Sequence, residues 1–149
     1  MLRSFTLIEL IFTIVVIGIL AAVAFPRYFG IEQQAQKNVA KAFAGTLYRT
    51  VGHSFWAKSL AEKKDGSIKI DNDGDSSKFF GKSLSEYTTI PKYFDQDSVN
   101  FDNCAEPGEK ASPFIAKKNG VGEYNIFCRD GNSTNAPYFV ADKNSTYQF

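Results

Sequence analysis

An uninterrupted apolar run, residues 5–25, is the feature that most limits what this chain can fold into. It reads FTLIELIFTIVVIGILAAVAF, and a helix of that length spans about 30 Å, the thickness of the hydrocarbon core of a bilayer. Arg3 precedes the run, which predicts a cytoplasmic N-terminus under the positive-inside rule. The run therefore predicts an N-terminal membrane anchor.

Glu9 places a charge inside this run. A secretory signal peptide is an alternative interpretation, because Ala22-Val23-Ala24 forms an A-x-A cleavage site, but an acidic residue within the apolar run argues against it. A carboxylate in a membrane helix costs a few kcal/mol of insertion free energy and usually marks a function. Glu9 therefore needs a partner, and no basic residue lies between Glu9 and Arg27.

The charged residues divide the chain into two parts. Only one of the 17 basic and one of the 16 acidic residues lie within residues 1–26. A net charge of +1 leaves no basic surplus for binding nucleic acid, and one His with two Cys provides little for a metal cluster or a catalytic pair. We therefore expect one polar, aromatic-rich domain after the apolar helix, with no enzymatic activity, cofactor or nucleic-acid site.

The apolar run begins with a recognisable motif. Residues 4–10, SFTLIEL, resemble the class III signal of type IV prepilins, and Gly18 and Pro26 stand at the spacing usual in pilins. The resemblance extends over about the first 55 residues. It implies that residues 1–4 are a leader, cut after Ser4 by a prepilin peptidase that usually meets Gly there. The new N-terminal residue, Phe5, is then N-methylated.

The same resemblance assigns roles in assembly. It implies that Glu9 pairs with the α-amine of Phe5 on a neighbouring subunit; the alternative is a snorkelling or protonated Glu9 with no role in assembly. Pro26 removes one helix hydrogen bond and predicts a kink or local melting. In pilin filaments the stretch that corresponds to residues 18–26 can lose helicity, and a static kink is the alternative.

Residues 27–60 continue the helix with an amphipathic pattern. Its apolar positions recur at steps of three and four: Ile31, Ala35, Val39, Ala42, Phe43, Leu47 and Val51. Together with the membrane segment, residues 5–26, this pattern predicts one helix of about 55 residues, on the order of 80 Å long. The predicted class is α+β, the type IV pilin fold. In that fold the helix packs against a small antiparallel β-sheet in a head, residues 61–149.

The second half of the head has the pattern of β-strands. Asn119-Gly120 predicts a hairpin between residues 112–117 and 121–128. Residues 142–144 predict a second hairpin, between residues 137–141 and 145–149. We therefore expect about four antiparallel strands against the amphipathic helix.

Cys104 and Cys128 are the only cysteines. In an exported domain an even pair predicts a disulfide, which by loop-closure entropy contributes about 3–4 kcal/mol. Many type IV pilins close a C-terminal loop with such a bond, so the pair agrees with the resemblance. A reduced, buried pair is the alternative.

Three alternating carboxylates invite a calcium interpretation. Asp71, Asp73 and Asp75 are spaced like the ligands of an EF-hand loop, but Ser76 and Lys82 stand where that loop needs Gly and Glu. A solvated acidic turn is the favoured interpretation, and we expect no metal.

Two short patterns predict glycosylation. Asn132 and Asn144 each begin an N-x-[ST] acceptor, and Asp130 and Asp142 stand two residues before them. The longer pattern resembles the acceptor of bacterial oligosaccharyltransferases. The alternative is that Asp, Asn, Gly and Ser are simply the residues that turns use.

These patterns together predict a structural subunit of a type IV pilus, of the type IVa kind. Its expected partners are other pilin subunits, the prepilin peptidase and the pilus assembly machinery of the inner membrane. The expected precursor lies in the inner membrane with a periplasmic head, and the mature subunit lies in a surface filament for adhesion, twitching motility or DNA uptake. A pseudopilin of a type II secretion system and a monomeric membrane-anchored binding domain are the alternatives.

Overall fold

One continuous helix dominates the first part of the fold. The computed structural model describes residues 5–69 and 74–149. The helix extends over Leu7–Ala61 and consists of α1 (Leu7–Thr46), a π-helical segment (Leu47–Gly52) and α2 (His53–Ala61). The predicted helix of about 55 residues is thereby confirmed.

The chain divides into two compact units, Met1–Ala35 and Gln36–Phe149. In the first unit the large apolar side chains of α1 are exposed on all sides of the helix, including Leu7, Ile8, Leu10, Phe12, Ile14, Ile17, Leu20, Val23 and Phe25. This helix is long and apolar enough to cross a membrane. A helix that is apolar all round requires an apolar environment, which fits the predicted membrane anchor.

The helix continues through both of its expected weak points. Gly18 and Pro26 lie inside α1, whose residues are helical on either side of them. The local melting considered for Pro26 is therefore not present in the single chain. Loss of helicity in a filament stays a prediction.

The described part of the head contains three pairs of short antiparallel strands. The pairs are β1 (Lys78–Phe79) with β2 (Lys82–Ser83), β3 (Lys110–Ala111) with β6 (Tyr147–Gln148), and β4 (Asn125–Arg129) with β5 (Tyr138–Asp142). The segment between β2 and β3 contains single 3₁₀ turns at Leu84–Glu86, Gln96–Ser98 and Phe101–Asn103. The long helix and the small antiparallel sheets confirm the α+β class.

The first predicted hairpin is present as a chain reversal with little strand. Gly120 has a φ of 75°, the N–H of Gly122 donates to the Lys118 carbonyl at 2.8 Å, and Ile115 and Ile126 form an antiparallel bridge. The Asn-Gly signal therefore located the turn correctly. Ile115 and Ile126 exchange backbone hydrogen bonds at 3.1 and 2.9 Å, so the predicted antiparallel pairing is present at this point, and β4 also pairs with β5.

The second predicted hairpin was wrong. The strands on either side of residues 143–146 belong to different pairs, because β5 lies along β4 and β6 lies along β3. The β6 pairing is extended by one more hydrogen bond, which the N–H of Gly108 donates to the Phe149 carbonyl at 3.0 Å. Tyr147 also stacks on Phe127 with ring centroids 5.6 Å apart. These long-range contacts override the local turn signal.

One face of the helix is buried in the second unit. Its buried residues are Gln36, Ala40, Phe43, Ala44, Leu47, Val51, Gly52, Phe55 and Ser59. The predicted apolar face was right at Phe43, Leu47 and Val51. It was wrong at Ile31, Ala35 and Ala42, which are exposed, and Val39 is half-buried. The packing begins at Gln36, whose Nε2 donates to the Val121 carbonyl at 3.0 Å.

The π-helical segment has a physical explanation in the spacing of these buried residues. From Leu47 onward the buried side chains follow one another in steps of four: Leu47, Val51, Phe55 and Ser59. An α-helix has 3.6 residues per turn, so each four-residue step turns the buried face by about 40°. The wider π turn reduces this drift and keeps one face toward the head.

Aromatic rings form the centre of the head. Phe55 contacts Phe79 with centroids 4.0 Å apart, Phe101 contacts Phe114 at 5.1 Å, and Phe114 contacts Phe139 at 5.4 Å. All five are buried. The helix, β1 and β5 therefore meet in one aromatic core.

Candidate functional site

The beginning of α1 is closed by a reciprocal pair of hydrogen bonds between Thr6 and Glu9. The Thr6 N–H donates to Glu9 Oε2 at 3.0 Å, and the Thr6 hydroxyl donates to the same oxygen at 2.9 Å. The Glu9 N–H lies 3.3 Å from Thr6 Oγ1. This is a capping box, in which each side chain satisfies a backbone N–H that the first helical turn leaves unpaired.

This cap was not among the features predicted from the sequence, although the sequence contains its pattern. Thr6 and Glu9 have the T-x-x-E spacing of a capping box before an apolar run. A carboxylate in the first turn also interacts favourably with the helix dipole. Glu9 therefore has a role within its own chain, in addition to any role toward a neighbour.

The expected processing site lies at the border of the described residues. Ser4 lies outside them, so the structure does not describe the Ser4–Phe5 bond. Phe5 and Thr6 precede the first helical residue, and the Phe5 side chain is 80% exposed. Around Glu9, the side chains of Phe5, Ile8 and Phe12 line a shallow apolar surface.

The two expected assembly residues deeper in α1 have open surroundings. A methyl group built at Gly18 would meet no atom within 4 Å apart from the helix itself and the adjacent residues. Pro26 is exposed. The packing within one chain therefore does not require Gly at position 18.

Cys104 and Cys128 form a disulfide in the structure, with the two Cα atoms 4.5 Å apart. Both residues are fully buried. The N–H of Ala105 donates to the Cys128 carbonyl at 2.9 Å, and the N–H of Asp130 donates to the Ala105 carbonyl at 2.9 Å. The bond therefore ties the segment before β3 directly to β4.

The acidic turn is described only in part, because Asp71 and Asp73 lie outside the described residues. Asp75 accepts hydrogen bonds from the Ser77 hydroxyl at 2.6 Å and the Ser77 N–H at 3.1 Å, and Lys78 Nζ lies 3.0 Å from its Oδ2. The Ser77 hydroxyl is the main cause that lowers the pKa of Asp75 to about 2. Within residues 5–69 and 74–149, no three His, Cys, Asp or Glu side chains form a candidate metal site.

The two predicted glycosylation acceptors lie in different kinds of loop. Asn132 belongs to a tight turn between β4 and β5, and it is half-buried. Asn144 belongs to the segment between β5 and β6, and it is exposed. The acidic residues that precede them also differ, since Asp130 is 4% exposed and Asp142 is half-buried.

Asp130 is a buried carboxylate that the sequence did not predict. It accepts hydrogen bonds from the Ser67 hydroxyl at 2.5 Å, the Ile68 N–H at 2.9 Å and the Gly131 N–H at 2.9 Å. Burial raises the pKa of Asp130 against these hydrogen bonds, which lower it. Two of its three donors, Ser67 and Ile68, lie more than 60 residues earlier in the chain, so no local pattern could have found this cluster.

The comparisons with known proteins match the beginning of the chain. Residues 3–25 match the family model described as the prokaryotic N-terminal methylation motif, the class III signal peptide of type IV pilins. The motif supports a type IV pilin or a pseudopilin and does not distinguish between them. Neither the comparison with curated proteins nor the comparison with solved structures finds a match.

Proposed function

We propose that this protein is a structural subunit of a type IV pilus, which polymerises into a surface filament for adhesion, twitching motility or DNA uptake. The observation that carries the proposal is the exposed apolar surface of residues 5–25, which begins with a methylation motif and a single carboxylate. A helix whose apolar side chains are exposed all round needs lipid or other helices around it. Lipid surrounds it in the precursor, and neighbouring subunits surround it in the filament.

Processing supplies a charged partner for Glu9. Cleavage after Ser4 creates an α-amine on Phe5, and N-methylation retains its positive charge. Pairing this ammonium with Glu9 of a neighbouring subunit neutralises two charges in an apolar filament core, whereas an unpaired carboxylate carries the whole cost of burial. The pair thereby fixes the position at which a new subunit enters.

The capping box is compatible with this pairing. Both donors of Thr6 bind Glu9 Oε2. Among the described residues, Oε1 accepts no hydrogen bond, so it can bind the amine of a neighbouring subunit. Thr6 holds the carboxylate in one orientation, and a charged donor adds the stronger, charge-assisted bond. Thr6 is therefore a positioning residue for Glu9.

The proposed topology follows from the same segment. Arg3 keeps the N-terminus in the cytoplasm, where a prepilin peptidase removes residues 1–4. The head is exported, which agrees with its disulfide. Assembly machinery of the inner membrane then transfers the mature subunit from the membrane to the filament.

Glu9→Gln separates the two roles of this residue. Gln keeps the oxygen that caps the helix but removes the charge. We expect Glu9→Gln and Glu9→Ala, each expressed as the sole subunit, to be processed and inserted normally but to reduce the yield of sheared filaments at least tenfold. The yield is measured by immunoblotting against the membrane-retained pool.

Normal filaments from Glu9→Gln together with poor filaments from Glu9→Ala would show that Glu9 serves only as a helix cap. Normal filaments from both variants would exclude a role of Glu9 in assembly. A matched control is Thr13→Val, which removes a hydroxyl that bonds the Leu10 carbonyl at 2.8 Å one turn further along the helix. This control is expected to assemble normally.

A pseudopilin remains the alternative, because the methylation motif occurs in both classes. The absent EF-hand pattern at Ser76 and Lys82 and the disulfide favour a pilin. The decisive measurement is mass spectrometry of filaments sheared from the cell surface. We expect an abundant chain that begins with N-methylated Phe5; a chain that is absent from surface filaments but required for protein secretion would support the pseudopilin.

A further inference from the structure

Two glycosylation acceptors lie close together in this sequence, and the structure separates them. Asn132-Ser133-Thr134 and Asn144-Ser145-Thr146 have the same composition and the same Asp two residues earlier. An acceptor asparagine must enter the transferase in an extended peptide, with its side-chain amide and the hydroxyl at the third position accessible. The local structure therefore decides which asparagine a folded head presents.

The Asn132 side chain is already used by its own turn. Its Oδ1 accepts from the Thr134 N–H at 2.9 Å, the Thr134 hydroxyl at 2.9 Å and the Asn135 N–H at 2.8 Å. The hydroxyl and the asparagine that a transferase must bind are thus bonded to each other. Turn formation by these residues was the alternative to a glycosylation acceptor, and the structure contains such an Asx turn at Asn132.

The main chain around Asn132 is held from both sides. Its carbonyl accepts from Trp56 Nε1 at 2.7 Å. Two residues earlier, the Asp130 carboxylate is buried and bound by three donors, so it is inaccessible to an enzyme. Gly131 lies so close to the Gly66 carbonyl that a methyl group at position 131 would not fit. Extending this segment would require breaking the turn and the Asp130 cluster together.

Asn144 differs from Asn132 in its exposure and in the bonds of its side chain. Residues 143–146 are all exposed, and they connect β5 to β6, which lie in different strand pairs. The Asn144 carbonyl accepts from Asn125 Nδ2 at 2.7 Å, and its N–H donates to Asp142 Oδ1 at 2.9 Å. These bonds hold only the main chain of Asn144, whereas the Asn132 turn also engages the side-chain oxygen of its asparagine.

The surroundings of Asn144 are polar. Lys143 Nζ forms an exposed ion pair with Glu123 Oε2 at 2.6 Å and lies 5.1 Å from the centre of the Tyr124 ring. Surface pairs of this kind contribute little to stability, so the loop can change its conformation at low cost. An extended acceptor peptide gives up at most the two main-chain bonds of Asn144, to Asp142 and Asn125, and no buried carboxylate has to be uncovered.

We propose that Asn144 is an N-glycan acceptor of the folded head and that Asn132 is not. The co-substrate is a lipid-pyrophosphate-linked oligosaccharide. The side-chain nitrogen of Asn144 forms a bond to the anomeric carbon of the first sugar, the bond from that carbon to the pyrophosphate oxygen breaks, and lipid pyrophosphate leaves. One amide proton passes to a base of the transferase, so the step involves no oxidation or reduction.

In the cell this modification rests on the proposed export of the head, since the transferase acts on the exported side of the membrane. The test does not. The full chain, purified in detergent, is incubated with a bacterial oligosaccharyltransferase that accepts the D-x-N-x-[ST] pattern and with its lipid-linked oligosaccharide, and intact mass is measured. Two peptides, residues 128–136 and 140–148, serve as acceptors that lack the fold.

We expect both peptides to gain one glycan and the folded chain to gain one glycan in total. Asn144→Gln and Thr146→Val should leave the folded chain unmodified, and Asn132→Gln should be modified as the wild type is. The same chain isolated from native filaments should exceed its processed mass by one glycan.

Three results would overturn the proposal. A glycan on Asn132 of the folded chain would show that the turn does not protect it. An unmodified Asn144 in the folded chain, with its peptide modified, would show that the loop does not present it. Lack of a glycan on both peptides, or on the native protein, would show that the sequence pattern is not an acceptor.

Discussion

The two compact units of this chain use their apolar residues in opposite ways. In the head, the large apolar side chains contact one another, and Phe79, Phe101, Phe114 and Phe127 are fully buried. In the first unit, large side chains of the same chemistry are exposed from Phe5 to Phe25 and at Ile31. Packing within the chain therefore accounts for the apolar residues of the head. The apolar residues of the first unit are instead suited to an apolar environment outside the chain.

A matched pair of phenylalanines tests this difference with the largest expected effect. Phe101→Ala removes a fully buried ring and should lower the free energy of unfolding of the head by about 3–5 kcal/mol. Phe12→Ala removes a ring that is 68% exposed and should leave that free energy unchanged while it lowers filament yield. Urea unfolding of the full chain in detergent, followed by the fluorescence of Trp56, measures both. Equal destabilisation by the two changes would contradict the comparison.

Asp130 tests whether the polar cluster of the head matters as much as its rings. Asp130→Ala leaves the buried N–H groups of Ile68 and Gly131 without their acceptor and should cost about 2–4 kcal/mol. Asp130→Asn keeps an acceptor oxygen for these groups and should cost about 1 kcal/mol or less. The same urea titration measures both variants, and an Asn variant as unstable as the Ala variant would show that the charge itself is required.

The pH dependence of stability follows from the raised pKa of Asp130. Between the unfolded value of about 3.9 and the raised folded value, the folded state binds more protons than the unfolded state. The contribution of Asp130 to the free energy of unfolding therefore increases as pH falls through this window and decreases as pH rises. The difference between wild type and Asp130→Asn, measured from pH 7 to pH 4, isolates this contribution. A difference that does not change with pH would contradict the assigned shift.

Two glycines in the same long helix sharpen the comparison further. A methyl group at Gly52 would lie 3.0 Å from the Leu47 carbonyl oxygen and 3.0 Å from Phe139 Cε2, so Gly52→Ala should destabilise the head by about 1–2 kcal/mol. Gly18→Ala meets open space and should not affect the head. A loss of filaments with Gly18→Ala would then report on contacts between subunits or on unwinding of the helix. Thermal unfolding and filament yield are measured on the same preparations.

The smallest expected effect concerns Thr6. Thr6→Val removes the hydroxyl of the capping box and should destabilise the first helical turn by about 1 kcal/mol, whereas Thr6→Ser keeps the hydroxyl. Hydrogen exchange of the first backbone amides of α1 in detergent should accelerate about fivefold in the Val variant only. Unchanged exchange in Thr6→Val would show that the cap does not contribute in an apolar medium.

The helix could be predicted well because its signals are local. Apolar run length, periodicity and the absence of Pro between Pro26 and Pro91 all refer to neighbouring residues, and the predicted end near residue 60 agrees with Ala61. The π-helical segment could not be predicted, because the need for it arises from packing against β5. The spacing of four between buried residues becomes meaningful only once the buried face is known.

The second hairpin was wrongly predicted and the Asp130 cluster was not predicted at all, both because their contacts are distant in sequence. Residues 142–144 have good turn composition, but β6 finds its partner more than 30 residues earlier in β3. Asp130 was interpreted as part of an acceptor pattern, although its carboxylate is committed to Ser67 and Ile68. By contrast, the Thr6–Glu9 cap lies within four adjacent residues, so the T-x-x-E pattern alone was sufficient to predict it.

The apolar surface of α1 also sets the energetics of growth in the proposed filament. Lipid tails and neighbouring helices are equally apolar, so a subunit that moves from the bilayer into the filament gains almost nothing from removing this surface from water. The bilayer then acts as a reservoir of nearly isoenergetic monomers. Three factors then determine the direction of exchange in the proposed filament. They are close packing at small residues such as Gly18 and Ala22, the proposed Glu9 charge pair, and work done by the assembly machinery. A filament of this kind can shrink by returning its subunits intact to the membrane.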